Sequence, residues 1–202
     1  MFLGSTDFFE NLMLFRTLWI RGRLGGGKTL LAFAIAKHLI DAGDFYGVIS
    51  NIPHALKYPT DGTMFDCVVI LDEAWQFADS RDFKTNPREY GAFARKGRTL
   101  WLYPSVIPVD ARMRYMFVEP TWKIGNLLWG YRGGIDIGYC NTEFAFALFR
   151  PFRYFGLFST TAVPLGDGGV TEIWKNTMAI LQQETKAEMA IMRAQMGLPA
   201  GP

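Results

Sequence analysis

Gly22-Arg23-Leu24-Gly25-Gly26-Gly27-Lys28-Thr29 satisfies every fixed position of the pattern G-x-x-x-x-G-K-[ST]. The apolar-rich run Leu14 to Arg21 precedes it and reads as a buried strand. The Ala- and Leu-rich run Lys28 to Asp41 follows it and reads as a helix, stopped by Asp41-Ala42-Gly43-Asp44. Strand, glycine loop and helix in that order separate a phosphate-binding loop from a chance turn. Glycines allow the tight turn that points successive N–H groups at one anion, and the helix N-terminus adds partial positive charge. Lys28 is then expected to reach the β- and γ-phosphates of a nucleotide, and the Thr29 hydroxyl to ligate Mg²⁺. The whole stretch from Gly22 through Leu30 is a candidate cofactor-binding segment for ATP.

Further along, Phe65 to Leu71 holds the β-branched run Cys67-Val68-Val69-Ile70-Leu71, typical of a central parallel strand, and Asp72-Glu73 closes it. Beside a glycine loop, an acid pair at a strand end has a specific meaning. Asp72 is expected to hold Mg²⁺ and Glu73 to polarise a water for attack on the γ-phosphate. A small-molecule kinase has reason to lack such a base, so Glu73 favours hydrolysis over phosphoryl transfer. Another strand, Tyr46–Ser50, stands between the two motifs in the chain. This suits the phosphate-loop group that inserts a strand between its two nucleotide-binding strands, to which motors of the RecA and AAA+ kind belong.

Strands are also expected at Thr99–Tyr103 and near Met116–Val118, and helices over Trp75 to Asp79, Pro87 to Lys96 and Val109 to Tyr115. Alternating strands and helices imply a mostly parallel sheet flanked by helices, with ligands outside the carboxyl ends of the strands. Beyond residue 120 the pattern changes. Trp122–Trp129, Asp136–Tyr139, Glu143–Arg150 and Tyr154–Thr160 read as antiparallel strands joined by Gly and Pro turns, forming a sheet extension or a flap. Thr171 to Met196 reads as a final helix with Ile173, Trp174, Thr177, Ile180 and Leu181 on one face, docked on its own domain or swapped onto a neighbour. Met1 to Met13 reads as a leader with a short helix. The division is a single domain: a nucleotide-binding core over 14–118, a β-rich addition over 119–165 and a helix over 171–197.

Composition narrows the classes. The chain has 202 residues, half of them hydrophobic, and a formal charge of +2 from 21 basic and 19 acidic residues. There is no bulk basic field to attract nucleic acid, so any contact with it depends on local patches. Lys84, Arg88, Arg112 and Arg114 are candidates, with an ordinary surface role as the alternative; Arg150 and Arg153 flank Pro151-Phe152 and suit an interface. Cys67 and Cys140 form no zinc pattern, and Cys67 is expected to be a buried thiol. His38 on the first helix and His54 in the loop after Asn51 are isolated, and no metal constellation is expected to include them. The 17 Phe, many after residue 115, suit a core or a subunit interface. No run reaches the 18 uncharged apolar residues of a spanning helix, and no secretory signal pattern is visible.

Four segments in this order and spacing resemble the FtsK–HerA superfamily of DNA-pumping ATPases. They are GRLGGGKT, VVILDEAW, ARKGR at Ala94–Arg98, and PSVIPVDARMR beginning at Pro104. The chain looks most like the small viral genome-packaging ATPases and is related to the zonular-occludens-toxin-like assembly ATPases of filamentous phages. FGLFSTTAVP, Phe155 to Pro164, is similar to a late stretch in the viral and phage members. The resemblance implies an ATPase coupled to translocation of double-stranded DNA into a preformed capsid. It implies a homo-oligomeric ring, a hexamer or pentamer, and a partner at a capsid vertex or a viral membrane protein. The expected location is the host cytoplasm during assembly, or a virion vertex, without secretion. Arg98 would be the arginine finger offered in trans to the neighbouring subunit's nucleotide, with Arg95 in reserve; the alternative for both is a solvent-facing cation at a helix end. The superfamily's pumps carry a γ-phosphate-sensing Gln where this chain reads Tyr103-Pro104-Ser105, which leaves Ser105 as the possible sensor. Phage assembly or export is the alternative function, and a metabolite kinase a more distant one.

Overall fold

The computed structural model describes residues 1–73, 94, 96–107, 115–136, 141–161 and 169–196. Among them the fold is α/β, with one eight-stranded mixed sheet flanked by helices. The elements begin with β1 (Phe2–Leu3), α1 (Thr6–Phe15), β2 (Thr17–Arg21), α2 (Lys28–Asp41), β3 (Gly47–Ser50) and β4 (Cys67–Ile70). There follow β5 (Leu100–Ser105), β6 (Met116–Ile124), β7 (Leu128–Asp136) and β8 (Asn141–Phe149). A 3-10 helix (Pro151–Leu157) and α3 (Val170–Gln195) end the described chain.

The strand order is β1-β8-β7-β6-β2-β5-β4-β3. The five strands from β6 to β3 are parallel neighbours, whereas β7, β8 and β1 extend the sheet antiparallel. One strand does lie between β2 and β4, but it is β5; the strand expected at Tyr46–Ser50 is the edge strand β3. A helix buried on nearly every side needs apolar residues all round. α2 supplies them with Leu30, Leu31, Phe33, Ile35, Leu39 and its alanines, set between the sheet and the 3-10 helix. Phe33 stacks on Phe158, with ring centres 4.8 Å apart.

The opposite face of the parallel half carries Trp19, Val69, Trp101 and Tyr103 beneath α3. Trp174 meets Trp101 edge-on, and the Thr177 hydroxyl accepts the Met64 N–H at 3.0 Å. Only the first turns of α3 are docked in this way. Ile180 and Leu181 are half-buried, and every residue from Gln182 to Met196 is exposed. Cys67 is fully buried, and burial pushes its thiol up to about 12, so it is a packing residue. The late aromatics Tyr131, Phe144 and Phe146 join Phe8 in the core, while Phe152 and Phe155 are exposed.

Several expected boundaries move. Leu14 and Phe15 belong to α1, so the first strand starts at Thr17. Trp122–Trp129 is not one strand. β6 runs through Ile124, Gly125 turns the chain at positive φ, and Leu128 begins β7. The boundary expected after residue 118 therefore falls inside β6. Tyr154–Thr160 is not a strand either: Pro151 opens a 3-10 helix, where its fixed φ suits the first turn. The helices expected over 75–79, 87–96 and 109–115, and the strand expected over 136–139, fall largely outside the described residues. No helix among the described residues is long and apolar enough to cross a membrane.

Candidate functional site

The site forms at the carboxyl ends of β2, β4 and β5. β2 delivers Gly22, and the loop turns through Gly25 at positive φ into α2. Gly27 occupies the N-cap position of α2 at φ 89°, a left-handed conformation that favours glycine. It also has no room for a side chain, because an added Cβ would lie 2.4 Å from the Trp129 ring. Trp129 belongs to β7. β6 and β7 thus run on past the end of β2 as a hairpin wall that buttresses the glycine loop. Pro120 touches the loop at Gly22, and the Lys123 ammonium lies 3.9 Å from the centre of the Trp129 ring.

The loop carbonyl of Arg23 accepts both the Gly26 N–H at 3.0 Å and the Lys28 ammonium at 3.2 Å. Lys28 is buried, and desolvation lowers its pKa against the opposing pull of Glu73 and Asp72. Its charge therefore sits in the field of both carboxylates. The Thr29 hydroxyl donates to Asp72 Oδ2 at 3.0 Å. Burial pushes the Asp72 carboxyl up to about 6, with the Thr29 bond opposing that shift and Glu73 reinforcing it. A hydroxyl in contact with a half-desolvated carboxylate fits Mg²⁺, which takes few protein oxygens and completes its octahedron with phosphate and water. Thr29 and Asp72 are the two residues that would hold it.

Glu73 stands at φ 50°, left-handed for a residue with a side chain, and its N–H donates to the Pro104 carbonyl at 2.9 Å. Leu24 is exposed at the loop tip, as are Arg23 and Gly25, whereas the Leu30 side chain is in the core. Leu30 can thus serve a ligand only through its backbone. Ser105 ends β5 directly beside Arg21 of β2, where a sensor would stand. Its buried hydroxyl donates to the Ile107 carbonyl at 2.6 Å, so any role as sensor begins by breaking or sharing that bond.

Arg98 is absent from this constellation. It precedes β5, at the amino end of the strands, and β5 spans about 20 Å from there to the glycine loop. Arg98 sits in a turn in the left-handed conformation, and Thr99 N–H donates to the Ala94 carbonyl at 2.9 Å. Its guanidinium pairs with Asp66, and its side chain is 68% exposed. Arg95, Lys84, Arg88, Arg112, Arg114 and Cys140 lie outside the described residues, as does the AW end of VVILDEAW. Arg150 packs over Phe149. His38 packs against Phe2 and Phe9, and His54 against Phe33 and Tyr58.

Sequence reading missed Asn51. Its side chain is buried at the end of β3, where the amide donates to the Asp72 carbonyl and its oxygen accepts the Asp72 N–H, both at 2.9 Å. The only sequence signal was a polar residue just past a strand and before Pro53, which reads as a turn.

The fold and site together define an α/β chain with an anion-ready loop and an acid pair at one edge of a mostly parallel sheet. Set against known proteins, the chain matches no family model and no curated protein.

Proposed function

We propose that the chain is a Mg²⁺-dependent ATPase that works as a ring and drives double-stranded DNA into a viral capsid. The observation that carries the hydrolytic part is the bond from Thr29 to Asp72, made where the field of both carboxylates also reaches Lys28. Loop amides and Lys28 hold the phosphates. Thr29 and Asp72 would hold Mg²⁺, which would supply charge neutralisation at the phosphates. Glu73 orients the attacking water and takes its proton, so that the γ-phosphoryl leaves as phosphate and ADP remains.

The position of Arg98 supports the ring. A guanidinium separated from its own glycine loop by the length of β5 is poorly placed to serve that loop, but an exposed one can serve an adjacent copy. The resemblance of the four segments to the FtsK–HerA superfamily supports the choice of cargo. Transport without base readout needs only phosphate contacts, and a ring repeats each subunit's few cations around the duplex.

The decisive experiment measures ATP hydrolysis with and without long duplex DNA at several salt concentrations. Stimulation that fades as salt rises is the expected result, because phosphate contacts release counterions. Transfer of phosphate to a small acceptor, or hydrolysis indifferent to DNA, overturns the translocase reading.

A further inference from the structure

We infer that Asn51 is a positioning residue that sets the pose of Asp72 and Glu73 for hydrolysis; the inference rests on the ATPase reading above. β3 and β4 pair in parallel register up to Ser50 and Ile70. Past that rung the strands part. Ile52 N–H turns back to the Ser50 hydroxyl at 3.1 Å, and Pro53 cannot donate to a ladder. Asp72 would then have neither of its main-chain groups paired on this side. The Asn51 side chain is itself an amide, and it takes over both positions. It works as one extra rung that follows Asp72 after the backbone has left.

The opposite side of the same dipeptide is tied to β5, since Leu71 N–H donates to the Leu102 carbonyl and Glu73 N–H to that of Pro104. The Asp72–Glu73 peptide is thus held between two strand ends. This matters because Glu73 is left-handed, a strained conformation for a residue with a side chain. It persists only where its surroundings impose it. With Asn51 removed, residue 73 is free to relax, and both carboxylates turn away from Thr29 and Lys28. In this scheme Asn51 acts on the reaction through Asp72.

The test compares Asn51→Ala with Ser50→Ala, which disturbs the same turn without touching Asp72. Amide hydrogen exchange is read at Asp72 and Leu71, alongside kcat, the Mg²⁺ concentration for half-maximal activity, and nucleotide affinity in EDTA. For Asn51→Ala we expect exchange at Asp72 to accelerate about tenfold or more while Leu71 stays protected. We also expect kcat to fall about tenfold or more and the Mg²⁺ requirement to rise, with affinity in EDTA within about twofold of the parent. Ser50→Ala should reproduce none of this. If Asn51→Ala does not fold, Asn51→Ser keeps one hydroxyl at the site and should show the same pattern at smaller amplitude. Unchanged Asp72 exchange, or equal losses in the Ser50 and Asn51 variants, overturns the inference. A parent protein that hydrolyses no ATP sinks the ATPase reading instead, and exchange at Asp72 still decides whether the clamp exists.

Discussion

The two ends of the parallel strands differ in almost every physical respect. At the carboxyl ends, Lys28, Asp72 and Asn51 are buried or nearly so, and their polar atoms are committed to one another or to loop carbonyls. At the amino ends, Arg98 meets Asp66 in a largely exposed ion pair on the turn before β5. One edge gathers buried polar groups that bond to one another, and the other carries an exposed cation held by a single ion pair. In a ring, one copy's amino edge would complete another's carboxyl edge. The variants below test each edge and whether the two form a single centre.

The largest effect is expected from removing either half of that centre. Glu73→Gln should lower kcat by about 10² to 10⁴ while leaving nucleotide binding intact. Arg98→Ala should lower it by about 10³ with little change in melting temperature, because an exposed pair contributes at most about 1 kcal/mol. Mixing the two inactive proteins should restore part of the activity, since some mixed interfaces pair an intact Glu73 with an intact Arg98. Steady-state turnover of the mixture checks this. No recovery at any ratio would confine each edge to its own subunit.

The next effect belongs to the carboxyl edge alone. Gly27→Ala places a methyl group against the Trp129 ring and holds a side chain in the left-handed region. Overpacking and backbone strain together should cost about 2–4 kcal/mol, read from denaturant unfolding. Trp129→Ala in the same background should recover part of the loss, because the collision is with that ring. Additive losses would mean that the hairpin does not buttress the loop.

Much of this edge was legible in the sequence. α2 begins and ends where the residues from Lys28 to Asp41 placed it, and Asp72-Glu73 follow their strand. Local rules decide such features: a glycine pattern, a helix period, a β-branched run. The missed features depend on residues far apart in the chain. Asn51 looks like an ordinary turn residue until its partner, 21 positions away, is brought beside it. Aromatic residues misled the reading of 154–160, where strand propensity was outweighed by a proline start and by packing of Phe158 on Phe33. The distance between Arg98 and the glycine loop follows from strand direction, which spacing along the chain does not give.

A third, smaller effect is electrostatic. Burial raises the Asp72 carboxyl to about 6 from an unfolded value near 3.9. A carboxyl raised on folding gives stability that is full below the unfolded value and is lost as pH rises through the folded one. The ligand-free protein should therefore lose about 2–3 kcal/mol between roughly pH 4 and pH 7 through this group. Asp72→Asn should remove that dependence, which denaturant unfolding at several pH values would show as a flatter curve. Mg²⁺ should work in the opposite direction, binding more weakly below pH 6 as Asp72 takes up a proton. A ligand-free protein equally stable across this range would mean that Asp72 is better solvated than its burial implies.

The smallest effect separates the edges most sharply. Asp66 pairs with Arg98, and coulombic interaction links it also to Arg16, near Asp44. If Arg98 served only to tie down its own turn, Asp66→Ala and Arg98→Ala would leave hydrolysis alike, since each removes the same exposed pair. If Arg98 instead serves a neighbouring nucleotide, Asp66 is where it rests between engagements. Asp66→Ala should then change stability by no more than about 0.5–1 kcal/mol and leave hydrolysis at or slightly above the parent rate. The two variants would share a melting temperature and differ in kcat by the full effect of the guanidinium. A double variant settles the order of action. With Arg98 already absent, removing Asp66 should alter turnover no further, since its only route to the reaction passes through that side chain.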